Sequence, residues 1–207
     1  MKVLGDKSAS IEDKFDLIKA SLINFKCDVN MRNGEIEILM KDKAFLKIIL
    51  FLKDNPRTNF DVLIDICAVD YPNEIKRFSL IYNFLSTTQN LRVRLRLLVE
   101  ENEPVDSICS IYSCANWYER EIYDLFGISF SNHPDLRRLL TDYDFEGYPL
   151  RKDFPLSGFV QVRYDSEQKK IVNEPVSLDQ EYRNFDNLSP WEGISIETKS
   201  KDNGDKN

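Results

Sequence analysis

Glycine is scarce in this 207-residue chain, with seven copies, and histidine scarcer still, with His133 alone. No GxGxxG or GxxxxGKS/T run occurs, so neither a dinucleotide nor a nucleoside triphosphate has a phosphate-cradling loop. A single imidazole and no GxSxG elbow leave hydrolytic triads without their parts. The four cysteines (Cys27, Cys67, Cys109 and Cys114) show no CxxC spacing. Reduced thiols in an internal compartment are therefore expected rather than a disulfide framework. Placed on one helix, Cys109 and Cys114 would point about 140° apart, too far to share an ion. No metal, cofactor or catalytic residue is expected on this chain.

Long apolar runs are missing as well. Ile48–Leu52, between Lys47 and Lys53, falls far short of the ~20 residues that span a bilayer, so membrane association is expected only through another protein. Positive charge is in deficit: 28 Lys and Arg against 35 Asp and Glu give a net charge of −7. That balance argues against a nucleic-acid partner. The N-terminus, MKVLGDKSASIEDKFD, has acidic residues and no Arg, unlike a mitochondrial transit peptide.

What is present is 42% hydrophobic residues, enough for one good core and an extension. Ile11, Phe15, Ile18, Leu22 and Phe25 recur at helical spacing after Ser10, with Asp13 placed to complete a capping box. Glu35 to Met40 alternates like a strand behind Asn33-Gly34, and Asp42 opens a second helix bearing Ala44, Phe45, Ile48, Ile49 and Leu52. Asn55-Pro56 ends it. Phe60 to Val69, Phe78 to Leu85 and Leu91 to Val99 read as strands with short links, hence an antiparallel meander. Pro104 suits the first turn of a third helix whose apolar stripe is Ile108, Ile111, Tyr112, Ala115, Tyr118, Ile122 and Phe126, with Gly127 as its cap. The fold class is α+β, an antiparallel sheet with helices packed on one face.

Five of the eight prolines and five of the seven glycines lie after Phe126. Residues 1–127 thus read as the core domain, 128–196 as an extended partner-binding arm rich in aromatics, and 197–207 as a disordered tail.

The densest chemistry lies at the end of the third helix, Trp117-Tyr-Glu-Arg-Glu-Ile-Tyr-Asp-Leu-Phe-Gly127, followed by His133-Pro-Asp-Leu-Arg-Arg138. On a helical wheel Glu119 falls about 40° from Ala115, inside the apolar stripe, with Trp117, Arg120, Glu121 and Asp124 opposite. A carboxylate on a buried stripe needs a partner, and Arg137 or Arg138 is expected to supply it. Arg120 and Asp124 suit an i,i+4 pair. Trp117 among charges has the composition of an interface hot spot, with cover by the chain's own arm as the alternative. Arg92, Arg94 and Arg96 aim from one strand face, where a solvated, ion-paired surface is the more frequent case. His133 before proline reads as a local hydrogen-bonding or interface residue rather than a general acid–base.

Glu119, Arg120, Glu121, Asp124, Leu125, Phe126, His133 and Arg137 fill in register a signature that resembles the C subunit of the proton-pumping NADH:quinone oxidoreductase, respiratory complex I. Asp135–Tyr143, Phe145-Glu-Gly147, Pro149–Leu156 and Ser189-Pro-Trp-Glu-Gly193 are similar to that family too. Tyr148 stands where the family often carries histidine, and Asp144 where glycine is frequent. The resemblance implies a non-catalytic structural subunit of the hydrophilic arm, packed mainly on the D subunit, which helps form the quinone site. FMN and iron–sulfur centres would sit on other subunits, passing electrons from NADH to quinone. It further implies that Glu119, Arg120, Glu121, Asp124, His133 and Arg137 fasten the helix end to its loop and the partner, while Arg151, Asp153, Phe154, Pro155 and Trp191 anchor the extension. The implied location is the cytoplasmic side of a bacterial inner membrane, or the matrix side of a mitochondrial one. Alternative readings are the equivalent subunit of a membrane-bound hydrogenase, a free interaction module, and a stand-alone enzyme built around His133.

Overall fold

The computed structural model describes residues 10–40 and 45–178. Asp42, Ala44, Trp191 and the tail 197–207, all named above, lie outside the described residues. The chain divides into two compact units, Met1–Gly158 and Phe159–Asn207.

In the first unit, helix α1 (Ile11–Ser21) opens with the expected capping box. The Ser10 hydroxyl accepts from the Asp13 amide at 3.1 Å, and the Asp13 carboxylate accepts from the Ser10 amide at 2.9 Å. Phe25 lies beyond the helix, its ring 5.3 Å from that of Phe51. Strand β1 (Cys27–Arg32) pairs antiparallel with β2 (Glu35–Met40) across Asn33-Gly34. Both turn residues have positive φ, 53° and 78°, the geometry of a tight hairpin that matches strand twist. β1 was not foreseen although Cys27, Val29 and Met31 alternate with Asp28, Asn30 and Arg32: the run is short, and Asp and Asn are poor strand formers.

Helix α2 (Phe45–Asp54) precedes the meander of β3 (Val62–Asp70), β4 (Phe78–Ser86) and β5 (Leu91–Val99), which is antiparallel as expected. The sheet order is β1-β2-β5-β4-β3, and β2 runs parallel to β5. The class is α+β, with a mixed sheet: the long excursion through α2, β3 and β4 allows the parallel pairing, which a short link could not.

Register puts Ile36, Ile38 and Met40 beside Val93, Leu95 and Leu97, and these beside Phe84, Tyr82 and Leu80. All lie on one apolar face. Ile18 of α1 and Phe45, Ile48, Ile49 and Leu52 of α2 join them in a single core. Each such side chain contributes about 1.5–3 kcal/mol by leaving water. The arginine stripe occupies the opposite face, where Arg94 pairs with Glu35 at 2.7 Å and Arg96 donates to the Ser79 hydroxyl at 2.7 Å.

The third helix is shorter than its apolar stripe suggests. Helix α3 spans Ala115–Phe126. Pro104 instead leads into β6 (Val105–Asp106), which runs parallel to β7 (Phe130–Ser131). The Val105 and Ser107 amides donate to the Ser129 and Ser131 carbonyls, which claims the backbone groups a helix would need. Ile108 and Tyr112 are buried all the same, presented by turns rather than by helix. Gly127 closes α3 at φ 76°, its amide donating to the Tyr123 carbonyl.

The second unit, within its described residues, is a hairpin of β8 (Val160–Asp165) and β9 (Lys170–Pro175). Gln161 and Arg163 both reach the Glu174 carboxylate on its polar face. Val160, Val162, Tyr164 and Ile171 form an exposed apolar face.

Candidate functional site

Helix α3 is charged on two faces, and both are covered. Glu119 sits on the apolar stripe with no exposed surface, as its spacing predicts. Its partner is not an arginine. The Ile108 amide donates to Oε1 at 2.8 Å, the Cys109 thiol donates to Oε2 at 3.4 Å, and His133 Nε2 stands 4.0 Å away. The segment leaving β6 returns alongside α3 and brings these donors, whereas Arg137 turns outward to pair with Asp135 at 2.9 Å. Burial pushes the Glu119 carboxyl up from its ordinary value, against the pull of hydrogen bonds from Ser107, Ile108 and Cys109. Burial likewise pushes the Cys109 thiol up to about 11.

Arg120 and Asp124, placed on the polar face by the wheel, are buried too. They do not pair with each other. Arg120 donates to the Arg137 and Arg138 carbonyls, both at 3.2 Å, and lies 5.5 Å from the Trp117 ring. Asp124 gathers the loop: Oδ2 accepts from the Leu139, Leu140 and Thr141 amides at 3.0, 2.6 and 2.9 Å. Oδ1 accepts from Arg138 Nη1 at 2.9 Å and from the Thr141 hydroxyl. Burial works against the charge here, but Thr141, Leu140 and Arg138 overcome it and hold the Asp124 carboxyl well below the usual carboxylate range. The loop after the helix folds back over the face expected to be solvated, and the charges are its fasteners.

Arg138 carries the chain onward by donating to the Phe145 and Gly147 carbonyls, with its guanidinium 5.6 Å from the Tyr148 ring. Arg151 stacks on the other aromatic surfaces, 4.5 Å from Tyr148 and 5.2 Å from Phe78, and donates to the Phe126 carbonyl at 2.6 Å. Asp153 pairs with Arg77 at 3.0 Å, and Arg77 pairs with buried Asp70 at 2.8 Å. The Lys152 amide also donates to Asp70, at 2.7 Å. Phe154 packs 5.9 Å from Phe145, and the Pro155 carbonyl accepts from the Gly158 amide. Sequence reasoning missed Asp70 and Arg77, which lie outside the motifs singled out, and Thr141, which lies within the Asp135–Tyr143 block but was given no role. A buried-strand aspartate followed seven residues later by arginine was the available signal for the first two.

Trp117 is 64% exposed and Glu121 is exposed, so these two remain available on the outer surface of α3.

Cys109, Glu119 and His133 offer ligand atoms within 4.8 Å of one another. The histidine is oriented against metal binding, however. Its Nδ1 accepts from the Asp135 amide at 3.0 Å, so the proton sits on Nε2, which faces the Asn116 carbonyl at 3.2 Å. The nitrogen aimed at the cluster therefore lacks the lone pair that a metal needs.

A family model described as the respiratory-chain NADH dehydrogenase 30 Kd subunit matches residues 38–160. The C subunit of the NADH-quinone oxidoreductase of Sinorhizobium medicae is 56% identical over 163 residues, covering 79% of this chain and 81% of that protein. Its counterpart in Maricaulis maris is 48% identical over 193 residues, covering 93% and 92%. Among solved structures, a chain of the membrane-bound sulfane sulfur reductase, an archaeal respiratory membrane complex, shares the fold with a TM-score of 0.60. It is 22% identical and covers 68% of this chain and 85% of its own. The matched stretch runs from β2 to the start of β8 and contains the whole Asp124–Arg138 clamp; this chain belongs to the family of the 30 Kd subunit, or C subunit, of the NADH-quinone oxidoreductases.

Proposed function

We propose that this chain is a structural subunit of the hydrophilic arm of a proton-translocating NADH:quinone oxidoreductase, holding the quinone-site D subunit in place. Family membership supports the complex. The observation that carries the structural role is how the charges at the helix end are used: the signature's Arg120 and Asp124, together with Arg138 next to the signature's Arg137, are consumed in fastening the loop after α3. The Glu119 and His133 side chains have no exposed surface and lie beside groups of the chain itself. FMN and iron–sulfur centres then belong to other subunits, and electrons travel from NADH to quinone without passing through this chain. Electron transfer depends on fixed cofactor spacing, so a rigid scaffold contributes to turnover without a catalytic group.

Among the described residues no helix is long and apolar enough to cross a membrane. Attachment to the cytoplasmic face of a bacterial inner membrane through partner subunits accords with that.

On α3, Trp117 and Glu121 face outward, and Trp117 lies against a pinned arginine as an interface anchor should. The test is a native gel of gently solubilised membranes carrying the tagged chain, stained for NADH dehydrogenase activity. Co-migration of tag and activity in a large band is expected, reduced severalfold in Trp117→Ala while the purified variant keeps its unfolding midpoint. A small, inactive, soluble species in the unsubstituted chain would sink the reading.

A further inference from the structure

Beneath the signature helix lies a carboxyl that a scaffold has no need of. Glu119 and His133 side chains both have no exposed surface and approach to 4.0 Å. Three segments close around them: α3, the turn at Ser107–Cys109 and the loop at His133; Tyr82 of β4, whose buried hydroxyl has no hydrogen-bond partner among the described residues, acts on Glu119 from further away. The titratable groups facing the Glu119 carboxyl are therefore the Cys109 thiol, the His133 ring and, at longer range, the Tyr82 phenol. No arginine or lysine is among them.

We propose that Glu119 is a buried proton-binding site whose occupancy is read by the neighbouring His133 ring. Where an added proton goes is set by hydrogen-bond direction. The Asp135 amide occupies the lone pair of Nδ1, so protonating the ring at that nitrogen breaks a 3.0 Å bond and places a cation in the interior. Protonating Glu119 weakens the bonds from Ile108 and Cys109, but a protonated carboxyl keeps lone pairs to accept them, and a buried charge is removed. The hydrogen-bond directions therefore place the proton on the Glu119 carboxyl, with Nε2–H of the ring kept toward Asn116. Burial pushing that carboxyl up agrees with this placement.

Occupancy has a structural consequence. When Glu119 is ionised it competes with the Asn116 carbonyl for Nε2–H, drawing the ring toward the carboxylate; when it is protonated the ring remains with Asn116, in the first turn of α3 beside Trp117. The site thus couples one proton to the grip of the His133 loop on the exposed end of the signature helix. This coupling involves residues of this chain alone and is independent of its membership in a larger complex.

The single histidine makes the test direct, since ring-15N labelling gives one imidazole to follow in the full chain. In spectra from pH 4 to 9 the ring shifts are expected to move through a step that follows Glu119. The midpoint of that step should lie above the ordinary glutamate value of about 4.3. Glu119→Gln keeps an acceptor for the Ile108 amide and should abolish the step. Cys109→Ala removes a donor that favours the ionised carboxylate and should move the step to higher pH. If Glu119→Gln fails to fold, the displacement in Cys109→Ala decides the matter. Conversion of the ring to imidazolium near pH 6.5 in both the unsubstituted chain and Glu119→Gln would overturn the proposal. So would shifts that stay flat across the range, or a step that Cys109→Ala leaves unmoved.

Discussion

Asp124 shows how much structure one carboxylate can organise. Five donors converge on it: three successive amides, a guanidinium and a hydroxyl. Each carboxylate oxygen is fully used, so the side chain is a template for the 138–141 loop rather than one half of a pair. Asp124→Asn keeps the shape but turns an NH2 group toward Arg138 and Thr141, leaving donors facing donors. Removing one partner from a buried charge pair costs about 3–5 kcal/mol, and the slight exposure of Arg138 favours the low end. Urea titration of the full chain is expected to show a loss of about 3 kcal/mol. Arg137→Ala, which breaks only the exposed pair with Asp135, should move the midpoint by less than about 0.5 kcal/mol. A comparable loss in both variants would mean that the loop is not held through Asp124.

At the scale of the element, α3 stops where the chain needs it to, because Gly127 meets two demands at once. Its φ of 76° suits glycine, and a Cβ there would lie 2.5 Å from Tyr148 Cε2 and 2.8 Å from Arg151 Nη2. Gly127→Ala therefore combines left-handed strain of about 1 kcal/mol with overpacking of about 1–3 kcal/mol. The expected fall in Tm is roughly 5–15 °C for a chain of this size. Thermal unfolding of Gly127→Ala, Tyr148→Ala and the double variant separates the two: the alanines should be less than additive, because trimming Tyr148 relieves the clash and leaves only the strain. The glycine cap was legible in the sequence, as were the capping box at Ser10 and the alternation of β4 and β5, since each is a local pattern. The start of α3 was not. Ile108, Ile111 and Tyr112 fall at helical spacing, yet pairing of β6 with β7, some 25 residues downstream, holds the residues just before them as strand and leaves these three on turns. The burial of Arg120 and Asp124 was hidden for a related reason: a helical wheel shows which residues share a face, but not that an aperiodic loop will fold over that face and satisfy its charges.

For the whole molecule, these buried carboxyls give stability a pH dependence of two signs. Asp124 is held low by Thr141, Leu140 and Arg138 against its burial, and Asp70 is held low first by Arg77. A carboxyl whose folded value is depressed stabilises the chain fully above its unfolded value of about 3.9 and loses that contribution as pH falls below it. Both aspartates fasten the 137–153 segment to the sheet and α3, so acid should release that segment as the core loosens. Glu119 acts in the opposite sense. Its folded value is raised by burial, so the folded state holds its proton more tightly than the unfolded chain does, and that contribution is lost as pH rises through the folded value. Urea midpoints measured across pH should therefore fall steeply on the acid side and decline more gently as Glu119 ionises. Asp124→Asn should flatten the acid limb and Glu119→Gln the gentler one, each leaving the other limb in place. An acid limb unchanged in Asp124→Asn would show that the charges of the signature helix do not set the acid stability of the chain.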